Sequence, residues 1–325
     1  MQRIYNYGSF LQAYALKKMM EECGAEVEFV DYHPGECILP SKETTGMKRK
    51  IQKGLEILRM KGRFRDKIQF VKYKKNYARK NYPVLGLKET YNYAPKLDLL
   101  VIGSDEVFNC IQDNSNVGFA PELFGAGHQA NRLISYAASF GNTTLVSLKK
   151  YQVADQVAHW LRAFDALSVR DENSRKIVQE LIGKDPVCHL DPVLAYDYPA
   201  KLPETKAKIP HDPYMILYGY SGRFNKEEAG EIRKYAKRKG LKILCIGGIQ
   251  RCGDKFIDCS PFEIFEYFKH AESVVTDTFH GTIFSVVTQK KFATFVRKNG
   301  YGNSEIFIFK GNDRTWCRRV IAKIS

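Results

Sequence analysis

His280 sits in the segment Thr276-Asp277-Thr278-Phe279-His280-Gly281-Thr282-Ile283-Phe284-Ser285. A short apolar run, Ser273-Val274-Val275, precedes it, and Ile283, Phe284, Val286 and Val287 follow at helical spacing. This pattern predicts a buried strand that stops at a turn where a helix begins. Imidazole titrates near neutral pH, so a histidine at such a junction suits proton transfer to or from a bound substrate. Open α/β sheets bind ligands beyond the carboxyl ends of their strands, which is the edge this turn occupies. A packing or capping histidine fits the same position, and residue type alone leaves both readings open.

Other residues fall on the same predicted edge. Arg170 ends a strand at Asp165 to Val169, and its planar fork of donors suits phosphate or carboxylate; an ion pair with Asp171 or Glu172 is the structural alternative. The turn Gly219-Tyr220-Ser221-Gly222-Arg223 follows a strand at Tyr214 to Tyr218. Its backbone N–H groups, Gly222 and Arg223 suit an anion, although a plain connection reads the same way. Asn6-Tyr7-Gly8-Ser9 opens the first helix, where free N–H groups favour an anion or a sugar hydroxyl and where Asn6 as N-cap is the simpler reading. Ser104 and Asp105 follow a strand ending at Ile102 and suit binding or deprotonation of a hydroxyl. Asp191, before Pro192, reads as a residue that shapes a turn. Lys290, Lys291, Arg297 and Lys298 flank the last strand. No clustered carboxylates point to a required metal, and no cofactor is expected.

Strand and helix patterns alternate along the chain with short turns, as a mostly parallel sheet with crossover helices requires. A helix from about Gly8 to Cys23 precedes a strand at Glu26 to Asp31. Leu97 to Ile102, Leu133 to Ala137 and Asp165 to Val169 read as strands, and Val146 to Leu161 and Glu172 to Ile182 as helices. Four prolines between 199 and 213 break the pattern. The second half restarts at Met215 to Tyr218, with a helix at Lys226 to Lys239, a strand at Leu241 to Ile246, a helix opened by Ser260-Pro261 and a last strand at Phe292 to Val296. The expected organisation is α/β: a Rossmann-like domain over 1–198 with a basic helical insertion at 47–80, a linker at 199–213, a second Rossmann-like domain over 214–300, and an atypical tail at 301–325. Two such domains facing a cleft make a GT-B-like architecture.

Composition narrows the setting. In 325 residues, 44% of them hydrophobic, no apolar run approaches the roughly 20 residues of a membrane span, and no secretory signal is visible. A cytoplasmic protein is expected. Eight cysteines show no CxxC pair or zinc-finger spacing, which suits reduced thiols. The net charge of +15 is concentrated between Met47 and Lys80, where fourteen lysines or arginines face only Glu56 and Asp66. Apolar residues recur there at roughly helical spacing, indicating basic amphipathic helices interrupted near Gly62. Such a segment is a solvated face or a surface for anionic lipid, giving a peripheral position at the inner face of a membrane. Nucleic-acid signatures are absent.

Six pieces together carry a family resemblance: NYGSFLQAYAL at Asn6, VIGSDEVFN at Val101, SYAASFG at Ser135, SVRDENS at Ser168, DPVL at Asp191 and TDTFHGTIFS at Thr276. In this order and spacing the chain resembles the polysaccharide pyruvyl transferases from residue 6 to about 300. The resemblance implies a GT-B-like fold and transfer of pyruvate from phosphoenolpyruvate to two hydroxyls of an oligosaccharide or lipid-linked glycan, with a cyclic ketal and phosphate as products. On that basis His280 donates a proton with Asp105 assisting, Arg170, Arg223, Gly222, Thr278 and Lys290 bind the donor, and Asn6, Tyr7, Gly8 and Ser104 bind the acceptor. Where many members place an arginine two residues before the histidine, this chain has Thr278. A strand before Asn6 and a helix after Ser304, which the resemblance implies, are missing from the sequence pattern, so a chain extended by such elements is expected to be more stable. A GT-B glycosyltransferase using a nucleotide sugar, or an inactive member kept for binding, are the alternatives.

Overall fold

A computed structural model describes residues 1–39, 62–202 and 204–297, and the backbone of 305–309. Of the basic segment, 47–61 lies outside the described residues, as does the tail beyond 309.

Two sheets organise the chain. The first runs β1 (Lys96–Asp105), β2 (Gln129–Ala138), β3 (Ser168–Val169) and β4 (Val187–Cys188), in that order and all parallel. In the second, β5 (Tyr214–Tyr218) is central. On one side it pairs with β6 (Lys242–Ile246), followed by β7 (Lys255–Phe256). On the other it pairs with β8 (Ser273–Thr276), followed by β9 (Phe292–Val296) and β10 (Glu305–Phe309). All its pairings are parallel except β9 with β10. Every residue of β5 and β8 is buried, the pattern of strands covered on both faces. The architecture is mixed α/β.

The helices are delimited by side-chain chemistry. α1 (Tyr7–Glu22) is capped by Asn6, and α2 (Phe64–Leu85) ends at Gly86 with φ 83°. In the first sheet's layer lie α3 (Leu145–Lys150), α4 (Ala154–Arg162) and α5 (Glu172–Ile182), the last capped by Asp171. Two short helices follow, α6 (Pro192–Ala195) and α7 (Tyr198–Lys201). The second sheet carries α8 (Lys226–Lys239), with an Asn225–Glu228 capping box, α9 (Glu263–His270) and α10 (Phe279–Val287). Although α1 precedes the first sheet in sequence, Tyr7, Phe10, Leu11 and Ala15 share one core with β5, β6, α9 and α10. Phe70, Tyr73 and Tyr77 of α2 join it.

Three expectations from the sequence give way. Residues 26–31 form no ladder: Asp31 makes a single parallel bridge with Tyr93, and its carboxylate is occupied by Arg3 and the Asn92 N–H. The helix expected over Val146 to Leu161 is two helices, parted where Gln152 takes φ 57°. Of Asp165 to Val169, only Ser168 and Val169 form the strand, because the Asp165 carboxylate turns back to accept the Leu133 N–H at 2.7 Å. After Ser304, where the sequence shows no helical pattern, Glu305–Phe309 form strand β10.

α10 is anchored by Phe284, which is fully buried with its ring edge-on to Tyr218, Phe265 and Phe268 at 5.6, 5.6 and 5.8 Å. Phe284→Ala is expected to lower stability by about 3–5 kcal/mol, the range for emptying a buried phenyl site. Thermal and denaturant unfolding read this directly, and an unchanged midpoint would show that α10 is held by other contacts.

Candidate functional site

β8 ends at Thr276, and the chain turns through Asp277 to Thr278, whose extended backbone (φ −121°, ψ 151°) and hydroxyl cap α10 by accepting the Gly281 N–H at 3.0 Å. This cap puts His280 in the first turn of the helix. Its ring lies against Gly8, where an added Cβ would sit 2.3 Å from the imidazole Cγ and Nδ1. Asn6 fixes that backbone by accepting the Gly8 N–H at 2.7 Å. Phe279 and Phe284 flank the imidazole at 5.3 and 6.1 Å. Nε2 is buried without a hydrogen-bond partner among the described residues, 3.7 Å from Asp191 Oδ2.

Asp191 joins this histidine to the first sheet. Its Oδ1 accepts the Val193 N–H at 3.0 Å, and its Oδ2 accepts from Arg170 Nη1 at 2.9 Å and Ser104 Oγ at 3.3 Å. Arg170 leaves the end of β3, with its guanidinium 4.3 Å from the Phe279 ring centroid and Nη2 3.6 Å from Asp105 Oδ1. Asp105 ends β1 in a left-handed conformation, φ 76°, and accepts from Ser9 Oγ at 2.8 Å and the Glu106 N–H at 3.0 Å. Arg170, Asp105, Asp191 and His280 thus form one buried cluster at the carboxyl ends of β1, β3 and β8.

Burial is the largest influence on His280 and pushes its pKa below 6.5; Asp191 and Asp105 oppose the shift, and Arg170 adds to it. The free site therefore holds a neutral imidazole at neutral pH. Burial would raise the Asp105 pKa, yet Arg170, His280 and the Ser9 hydroxyl hold it below the usual value. Glu106 moves the opposite way, raised by burial and by the Asp105 charge. With His280 neutral, two carboxylates face one guanidinium and the cluster carries excess negative charge. Protonating His280 cancels it.

The remaining residues singled out from the sequence are distributed unevenly. Ser104 is buried, its one hydroxyl proton shared between the Ala137 carbonyl and Asp191. Asn6 is half-buried, and its Nδ2 donates to Tyr220 Oη at 2.5 Å, so the Gly219–Arg223 turn meets the start of α1. Tyr7 points into the core, where its hydroxyl donates to the Cys259 carbonyl at 2.9 Å. Arg223 Nε donates to Asp277 Oδ2 at 2.8 Å, and Arg297 Nε reaches the same oxygen at 3.2 Å. The Gly222 N–H donates to the Ile249 carbonyl at 3.0 Å, in the loop that follows β6. Thr278 is the cap described above. Lys290 follows the far end of α10 from His280.

Asp191 and Tyr220 are the residues that sequence reading passes over. Asp-Pro reads as a turn, whereas Asp191 caps α6; its second oxygen, facing His280, has no signature in sequence. Arg170 likewise pairs with neither Asp171 nor Glu172 but with two carboxylates far along the chain. A separate groove of about 230 Å³ lies between the second half of α1, residues 26–32 and β1. It is lined by residues such as Leu16, Phe29 and Leu99, and not by His280, Arg170, Asp105 or Asp191.

A family model described as polysaccharide pyruvyl transferase matches residues 6–299. No curated protein matches the chain. The crystal structure of the bacterial iron-containing dodecameric glycosyltransferase TibC from enterotoxigenic E. coli H10407 is similar at 13% identity, with a TM-score of 0.24. The likeness covers 61% of this chain and 58% of that one.

The neutral imidazole has a thermodynamic signature. As pH falls below 6.5, His280 takes up a proton in the unfolded chain before it does so in the folded one, so stability contributed by the neutral form is present above that pH and lost below it. His280→Gln is expected to lose less stability than the parent between pH 7.5 and pH 5. Equal losses in thermal unfolding would place the histidine pKa at its ordinary value.

Proposed function

Since the chain belongs to the polysaccharide pyruvyl transferase family, we propose that it transfers pyruvate from phosphoenolpyruvate to two hydroxyls of a sugar in a polysaccharide or its lipid-linked precursor. One hydroxyl oxygen adds to C2 of the donor, losing its proton to a base while C3 gains a proton. The second hydroxyl oxygen displaces phosphate from C2, its proton leaving as the cyclic ketal closes.

The observation that carries this reading is the unpartnered Nε2 of His280, buried 3.7 Å from Asp191 Oδ2. A buried imidazole without a partner is poised to take one. The anionic donor raises the histidine pKa on binding, and the Asp191 carboxylate adds to that effect, so His280 becomes the acid that protonates C3. Asp105, kept as a carboxylate, takes the proton of the attacking hydroxyl. Arg170 holds both carboxylates in place, and its Nε, buried and unpartnered among the described residues, offers a donor toward an anion. Arg223, less buried beside Asp277, supplies a second cation for the donor. Asn6 offers its amide to the acceptor. A GT-B-like cleft between the two sheets is part of this proposal.

α2 suits the membrane side of this reading. Its buried residues, Phe70, Tyr73, Tyr77 and Leu85, leave Arg65, Lys72, Lys75, Arg79 and Lys80 exposed together with Phe64, Ile68 and Val71. Among the described residues no helix is long and apolar enough to cross a membrane. Exposed cations beside apolar side chains match an anionic lipid surface, each cation contributing about 1 kcal/mol there.

Three outcomes test the proposal. Acceptor-dependent phosphate release from phosphoenolpyruvate is expected to fall about 10²- to 10⁴-fold in His280→Ala; near-parental turnover in the folded variant refutes the acid role. Asp191→Asn removes the charge that raises the His280 pKa, so the pH profile of kcat should shift to lower pH, and an unshifted profile separates Asp191 from the histidine. Binding to vesicles containing phosphatidylserine should weaken steeply with salt, and absence of binding at low ionic strength makes the basic face of α2 a solvated surface only.

A further inference from the structure

One residue from the site, at Tyr5, a band of aromatic side chains begins that the chemistry above does not use. Tyr5, 43% exposed, lies 6.1 Å from the ring of Tyr82. The Arg3 guanidinium comes next, 5.8 Å from the Tyr82 centroid and 4.5 Å from that of Tyr91. Tyr91 is parallel to Tyr93 within 4°, their centroids 5.7 Å apart, and Tyr93 stacks on His33 at 3.9 Å. Tyr91 is 60% and Tyr93 42% exposed. Parallel rings with such widely spaced centroids are displaced sideways, so neighbouring faces overlap only in part and aromatic surface stays open to solvent.

The band is held in place by buried chemistry. Arg3 makes a two-pronged pair with Asp31, Nε to Oδ1 at 2.6 Å and Nη2 to Oδ2 at 2.9 Å, and Asp31 is itself buried. Arg3 Nη2 also donates to the Lys88 carbonyl at 3.1 Å, and the Tyr82 hydroxyl donates to the Arg3 carbonyl at 2.6 Å. Glu122 holds His33 through Nδ1 at 2.7 Å and through its backbone N–H. Exposed rings on a surface loop ordinarily lose entropy when a ligand orders them; here that cost has been met in folding, which favours binding.

The chemistry selects the ligand. A pyranose ring presents a face of slightly positive C–H groups, which match the negative face of an aromatic ring, and a rim of hydroxyls, which match carboxylate, imidazole and phenol. Members of the band follow one another at 3.9 to 6.1 Å, so a ligand that engages them in succession must be an extended chain of rings. At its inner end Tyr5 is covalently joined to Asn6, which touches Tyr220 at the edge of the site. We propose that the band formed by Tyr5, Tyr82, Arg3, Tyr91, Tyr93 and His33 is a binding track for the acceptor glycan, holding sugar residues remote from the one that is modified. This rests on the assignment of a polysaccharide acceptor and adds a preference for long acceptors over short ones.

The test uses the whole chain and pure oligosaccharides without donor. Cellohexaose, maltohexaose and a β-1,3-linked galactohexaose are titrated by calorimetry, each beside its disaccharide. At least one hexamer is expected to bind 10-fold or more tightly than its dimer. That preference should be lost in the Tyr91→Ala/Tyr93→Ala double variant and retained in Tyr93→Phe, which keeps the ring. The double variant should keep the parental rate of phosphate release with a short acceptor. Failure of every hexamer to bind, equal affinity for hexamer and dimer, or a length preference that survives loss of both rings overturns the track. Length-dependent binding without any phosphoenolpyruvate-dependent phosphate release would leave the track standing and refute pyruvyl transfer.

Discussion

A carboxylate shut away from water survives as an anion only where donors replace its hydration shell, and Asp191, 2% exposed, collects three: a guanidinium, a hydroxyl and a backbone N–H. Each arrives from a different element. Arg170 comes from the end of β3, Ser104 from β1 and Val193 from α6, so the solvation of one side chain fixes how three segments meet. His280 of α10 then lies against the same oxygen without a hydrogen bond to it. The histidine's environment is thus set by the first sheet, although its own helix is built on the second.

The same arrangement separates the tasks of neighbouring acids. Asp105 and Asp191 both face Arg170, whereas Glu106, adjacent to Asp105, points its carboxylate to Asn109 at 2.8 Å and is raised in pKa by burial. Tyr220, pushed up to about 12 by burial and by the charges of Asp105 and Glu106, stays a neutral hydroxyl. A neutral imidazole beside surplus negative charge is a site that waits for a proton.

Much of the fold was legible because local signals and burial agree. β5 and β8 are continuous apolar runs, α5 begins at an aspartate three residues before a serine it caps, and α8 opens with a capping box. The position of His280 could be read from the change of apolar period at Thr276. What failed were segments whose fate depends on distant partners. Residues 26–31 alternate like a strand but meet only Tyr93, and Asp165 leaves its strand to cap a neighbour. For Arg170 the sequence offers Asp171 and Glu172 only as the structural alternative to an anion, and topology delivers Asp105 and Asp191 in their place. Tyr7 belongs to a motif suited to polar ligands, yet the packing of α1 against α2 turns its ring inward onto Tyr73 at 5.7 Å.

The placement of α1 has a consequence for biosynthesis. Its apolar face is covered by residues that include Tyr198, Cys259 and Phe262, and the hydrogen bond from Tyr7 to Cys259 spans 252 positions of chain. At the usual pace of translation, about 5–20 residues per second, that face leaves the ribosome roughly 10 to 50 s before its partners exist. Through that interval Phe10 and Leu11 must find temporary cover, on the ribosome, on a chaperone or on the nascent first sheet. The helix that shapes one wall of the site is thus made long before its last partners bury it.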